Sequence, residues 1–233
     1  MQKFFNLQLA FGMEWWKFLA IALVLYALIG GLLIDVPALP ILHETIRNLY
    51  YHVTQWFGMM IILFVSLWHS IRYLSNFKMH HDFVAAEAAN VGIYMGILGI
   101  VTGSVWAKFT WGAWWVSDAK LNGAAITLLI YFAYLILRNS MDEEQKRARV
   151  AAVYNIFAFV MLIIFLMVLP RLTDSLHPGN GGNPGFGGYD LDNTMKLVFY
   201  PAVLGWTLLG VWLMQVCLRI RTLNHKLLIK QFK

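Results

Sequence analysis

The sequence predicts an all-α integral membrane protein, a helical bundle of six transmembrane helices with both termini in the cytoplasm. Three observations lead there. Of the 233 residues, 60% are hydrophobic and 13% charged, against about 25% charged in a soluble domain, so most of the chain cannot face water. Six apolar runs approach the length of about 20 residues that crosses a hydrocarbon core about 30 Å thick. The Lys and Arg residues between those runs alternate strictly from side to side, thirteen against five of the 18. Basic residues in short loops mark the cytoplasmic side. The net charge of +6 is then a consequence of topology and does not ask for nucleic acid.

The runs follow in order. Phe18–Ile34 is the first, approached by Met1–Trp16, which is expected along the inner interface with Trp15 and Trp16 as anchors. Glu14 interrupts that approach and no small-residue cleavage site follows, so an uncleaved helix is expected in place of a signal peptide. The external loop Asp35–Tyr51 carries His43 and Arg47 and leads to His52 at the mouth of the second run, Val53–Tyr73, which holds His69 near its inner end. Asn76–Asp82, with His80 and His81, reads as a short polar inner turn before the third run, Val84–Ala107. A tryptophan-rich external loop, residues 108–120, precedes the shortest run, Leu121–Leu137. Removing that run would place its flanking charged loops on sides that spoil the charge bias. Asn139–Arg149 reads as a solvated charged connection to Val150–Leu169; the external loop 170–196, rich in His and Gly, then leads to Leu197–Leu218 and a basic tail with His225. Neither a repeat nor a soluble domain stands out, so residues 1–233 read as one membrane domain.

Chemistry is sparse and concentrated. Cys217 is the single cysteine, which excludes an internal disulfide, a thiolate cluster and covalent haem attachment through C-x-x-C-H. Topology sorts the seven histidines. His80, His81 and His225 read as solvated inner residues, His43 as a spare external group, and His69 as an interfacial residue without a histidine partner on another span. His52 and His177 remain, both external and each near a helix end. Paired neutral imidazoles suit iron, zinc or copper. Haem iron best uses what lies between them, because a porphyrin needs axial ligands, an apolar platform and cations at its carboxylate rim. Trp111, Trp114 and Trp115 offer the platform, the glycines from Gly179 to Gly188 offer close backbone approach, and Arg47, Lys108, Lys120 or Arg171 offer the cations. Plainer readings stand beside these. Interface tryptophans form an aromatic belt in many membrane proteins, Asp118 sits where a helix cap would, and the Gly/Asn/Pro stretch has linker composition.

The loop from Trp111 to Asp118 resembles the Trp-rich signature W-G-x-x-W-x-W-D of the haem-handling membrane proteins of cytochrome c biogenesis, the family of CcmC, CcmF and CcsA. Trp111, Gly112, Trp115 and Asp118 match it, Ser117 stands in place of the last tryptophan, and Ala119-Lys120-Leu121 is similar to the family's run into the next helix. Six spans and this length are similar to the CcmC branch. The resemblance implies non-covalently and transiently bound haem b at the periplasmic face of the bacterial inner membrane, with His52 and His177 as axial ligands of the iron. It also implies handover to a CcmE-like haem chaperone beside CcmA and CcmB transporter components and a small CcmD-like subunit. The chain would then be a haem courier and not an enzyme. The alternatives are a b-type cytochrome subunit, which would want histidine pairs on facing helix interiors, a permease, which would want inverted repeats or broken helices, and a scaffold subunit without a ligand.

Overall fold

A computed structural model describes residues 14–39, 41–177 and 191–231. Six helices among them are long and apolar enough to cross a membrane. They are α1 (Trp15–Leu33), α2 (Val53–Asn76), α3 (Met79–Trp111), α4 (Ala119–Asn139), α5 (Glu144–Leu172) and α6 (Asn193–Gln231), with a 3-10 helix, His43–Tyr50, ahead of α2. Each expected span is present and each is extended, because polar residues at the ends of an apolar run continue the helix instead of leaving it. The expected interfacial stretch before Glu14 and the glycines from Gly179 to Gly188 lie outside the described residues.

The turn between α2 and α3, expected on the inner side, is shorter than its polar composition suggested, and two expectations are corrected with it. Only Phe77 and Lys78 separate α2 from α3, Phe77 turning the chain at φ 54° while its N–H bonds Tyr73 O. His80 and His81 therefore lie in the first turn of α3, not in a solvated loop. His69 also has histidine neighbours: its Nδ1 lies 3.1 Å from Nδ1 of His81, and its ring centre is 6.5 Å from that of His80.

α2 and α3 pack closely because α3 presents glycines at 92, 96, 99 and 103 toward its neighbours. A Cβ on each would come within 2.7 Å of Leu63, Leu128, Trp56 and His52 in turn. In lipid, such small residues permit the backbone approach that drives helix association. Polar ties hold the end of the bundle away from the tryptophan loop. Arg138 donates to both carboxylate oxygens of the buried Asp82 at 2.7 and 2.6 Å, joining α4 to α3. Asn155 donates to Ser66 and Ser70 at 2.7 and 2.8 Å, joining α5 to α2. At the other end, α5 widens into a π-turn over Ile164–Val168, just before Pro170. Proline has no N–H for the helical ladder, and π-turns absorb such an irregularity. Gly123 of α4 lets the bulge approach, since a Cβ there would sit 2.3 Å from Phe165 O.

Candidate functional site

The site is assembled at the end of the bundle where α3 stops. Gly112 ends α3 at φ 82°, a left-handed conformation that costs glycine little and other residues more. The chain then runs to Asp118, whose Oδ1 accepts the N–H groups of Lys120 at 2.8 Å and Leu121 at 3.4 Å and so caps α4. The same carboxylate reaches into the connection that follows α5. Its Oδ2 accepts the Ser175 hydroxyl at 2.8 Å and the Leu176 N–H at 2.7 Å, and its Oδ1 lies 2.9 Å from Nδ1 of His177. Asp118 thus caps a helix, as one reading of the sequence had it, and also fastens a loop that begins more than fifty residues later.

The electrostatics follow from that geometry. Burial pushes the Asp118 carboxyl up, but the His177 hydrogen bond and charge, with the Ser175 and Leu176 donors, outweigh it and hold the group well below the usual carboxylate range. Burial pushes His177 down more strongly than Asp118 raises it. At neutral pH the pair is therefore an ionised carboxylate and a neutral imidazole. A carboxylate only accepts, so the proton sits on Nδ1 of His177 and leaves Nε2 with its lone pair.

His52, the residue before α2, is buried at 9% exposure. Its Nδ1 lies 3.2 Å from the Thr102 hydroxyl, which has its own proton directed at Leu98 O at 2.8 Å or Gly99 O at 3.1 Å. The hydroxyl oxygen is thus left to accept from His52 Nδ1–H, and the Gly99 backbone also hydrogen-bonds this ring. Gly103 lies under this imidazole: a Cβ there would be 2.5 Å from His52 Cε1. Trp106 stands between the two histidines, its ring centre 6.1 Å from that of His52 and 5.9 Å from that of His177.

Both histidines line one mainly apolar pocket that encloses about 1000 Å³ of empty space, counting the part open at its mouth. Trp56, Trp106 and Trp115 are its aromatic walls, Leu166 and Met167 come from the π-turn, and Lys120 and Arg171 are its cations. Among the described residues no group of three or more His, Cys, Asp or Glu could hold a metal ion. A bare metal therefore lacks a ligand set here, whereas a macrocycle that brings four nitrogens needs only the two imidazoles. The donor set, the apolar walls and the two cations fit a haem.

The structure sorts the residues named from sequence. His52 and His177 share the pocket, and Trp115 lines it while donating to Asn122 Oδ1 at 3.2 Å. Trp111 backs His177 at 5.1 Å between ring centres. Trp114 is 59% exposed and is not among the pocket's walls. Arg47 binds Gly31 O, Ile34 O and Glu44, Lys108 binds Gly112 O, and neither lines the pocket; Arg171, which does, also binds Met167 O. His43 is exposed at the start of the 3-10 helix. Thr102, Gly103, Trp106 and Ser175 were not singled out from sequence. The first three lie inside an apolar run that carries no sign of which face turns inward, although Trp106 does precede Trp111 by little more than one helical turn.

The chain is similar to known proteins along nearly its whole length. The family model described as Heme exporter protein C matches residues 2–232. Heme exporter protein C of Bradyrhizobium diazoefficiens is 27% identical over 186 residues, covering 78% of this chain and 68% of the relative. The Escherichia coli protein of the same name is 26% identical over 190 residues, covering 79% and 71%. A shorter stretch, 87 residues and 37% of this chain, is 37% identical to cytochrome c biogenesis protein CcsA of Prochlorococcus marinus, of which it covers 27%.

Proposed function

The chain belongs to the Heme exporter protein C family, and from that premise we propose that it is a haem-handling membrane protein of cytochrome c maturation. In this reading it holds haem b transiently at the periplasmic face of the bacterial inner membrane. It passes the haem to a CcmE-like chaperone, alongside CcmA, CcmB and CcmD-like components. The names of the relatives support a haem cargo, and the alternating charge bias of the connections supports the sidedness, with both termini cytoplasmic.

The observation that carries the proposal is the pair of imidazoles, His52 and His177, each with its Nδ1 beside an oxygen partner, lining one apolar pocket. The pocket's own residues perform the binding. Trp106 and Trp115 give flat apolar surface, Lys120 and Arg171 meet the haem carboxylates, and the apolar walls exclude water from the iron's ligands. His52 and His177 would hold the iron of a bound haem, and handover would then be an exchange of imidazole ligands with no covalent step on this chain, the work of a courier. Trp111, with Gly112 and Asp118, shapes the rim, and the exposed Trp114 would be available to a chaperone. A b-type cytochrome remains the second reading. The His69–His81 contact does not favour it, because nitrogens 3.1 Å apart are too close to flank an iron with bonds of about 2.0 Å on either side.

The test is a visible absorption spectrum of detergent-purified protein co-expressed with the chaperone. Wild type is expected to show haem bands that vanish or shift in the His52→Ala/His177→Ala double variant, with loss of cytochrome c maturation. His69→Ala should leave both unchanged. Normal spectra and maturation in the double variant would overturn the ligand assignment.

A further inference from the structure

The two imidazoles are held by unlike partners, and the difference has chemical consequences. His52 donates from Nδ1 to a neutral hydroxyl, Thr102 Oγ1, at 3.2 Å. His177 donates from Nδ1 to a carboxylate, Asp118 Oδ1, at 2.9 Å, and that carboxylate side chain is fully buried. A buried charge-assisted hydrogen bond is shorter and stronger than a neutral one. A carboxylate on the far nitrogen also makes an imidazole a more basic ligand and fixes which nitrogen faces the metal.

Building on the haem reading above, we infer that Asp118 is a positioning residue that acts through His177, making the haem's axial pair unequal, with His177 the stronger donor and His52 the ligand that yields first. Ser175 is part of the same device. Its hydroxyl donates to Asp118 Oδ2 at 2.8 Å and withdraws charge from the carboxylate, which moderates the pull on His177. The arrangement suits a courier. One ligand retains the iron while the other gives way to an incoming imidazole, so the haem is never released free.

The first measurement needs no haem. Nitrogen NMR of the haem-free, histidine-labelled protein in detergent should show His177 protonated at Nδ1 and unprotonated at Nε2, and Asp118→Asn should mix the two tautomers. A wild-type His177 protonated at Nε2 overturns the inference even if haem binds. Correct tautomers in a protein that binds no haem keep Asp118 in its role and overturn the haem reading instead.

The second measurement is the reduction potential and haem affinity of the loaded protein. Asp118→Asn should move the potential upward, since a less basic imidazole stabilises ferric iron less, and should weaken haem binding about 10–100-fold. Ser175→Ala should move the potential downward, the opposite sign, and it carries the test if the Asn variant does not fold. Thr102→Val should shift the potential less than Asp118→Asn does. Potentials that stay at the wild-type value in both Asp118→Asn and Ser175→Ala, or a larger shift in Thr102→Val, would refute the unequal pair.

Discussion

Adding one methyl group beneath His52 should misplace this proposed haem ligand without touching it chemically. A Cβ on Gly103 would stand 2.5 Å from His52 Cε1, 3.1 Å from Nδ1 and 3.3 Å from Nε2. Carbon atoms in contact settle at about 3.5–4.0 Å, so the ring must retreat by about 1 Å. Binding constellations tolerate about 0.5 Å of misplacement. The ring has little room to retreat, since Trp56 and Trp106 flank it at 6.2 and 6.1 Å between centres and Thr102 holds its Nδ1. Overpacking of this kind costs about 1–3 kcal/mol of stability. The effect on haem should match the loss of a ligand's supporting contact, about 10–100-fold in affinity, which is about 1.4–2.7 kcal/mol. Haem titration of purified Gly103→Ala, followed by its absorption band, measures this. Gly30→Ala is the control, because a Cβ there meets nothing closer than Val198 at 3.5 Å. A Gly103→Ala protein that binds haem as tightly as wild type, with an unchanged spectrum, would show that the geometry of His52 does not govern the site.

Three further outcomes are expected. The haem-free protein should lose stability as pH falls below 6.5, the ordinary histidine value: His177 is held below it in the folded state, so the unfolded chain takes up the proton first. Stability should be flat above that value; thermal unfolding across pH 5 to 8 in the wild type and in His177→Gln checks the sign, and the slope should diminish in the variant. Asp82→Leu leaves the Arg138 guanidinium buried without its bidentate partner, which should cost about 3–5 kcal/mol. Asp82→Leu/Arg138→Leu should recover much of that, as measured by the unfolding midpoint in detergent. In a Cys217→Ala background, single cysteines at Ser117 and Ser140 should label from opposite sides of intact spheroplasts, Ser117→Cys from outside; equal labelling of both from one side would refute the proposed sidedness.

Much of the site was legible because some residues are costly wherever they sit. His52 and His177 could be named from sequence since ionisable groups beside apolar runs are few, and the spacing of Trp111, Gly112, Trp115 and Asp118 matched a known signature. The cations were not sorted in the same way. Arg47, Lys108, Lys120 and Arg171 look alike in sequence, and only their placement shows that the last two line the pocket, Arg171 while also donating to Met167 O, and that the first two do not. The helical placement of His80 and His81, and with it the neighbours of His69, was not legible for a related reason. A polar stretch such as Asn76–Asp82 is compatible with a loop or with the first turn of a helix, and hydropathy does not distinguish them.

The sequence by itself determined the solvent, the number of spans and the end at which the unusual side chains gather. Those properties depend on how many consecutive residues avoid water, which is a one-dimensional quantity. The tertiary structure decided which face of each helix turns inward, and with it the roles of Thr102, Gly103, Trp106 and Ser175. Lipid tails are as apolar as a protein core, so hydropathy is alike on the buried and lipid-facing sides of α3. Packing of that helix on its neighbours through its glycines, together with the carboxylate of Asp118 that holds His177, brings two imidazoles to one pocket.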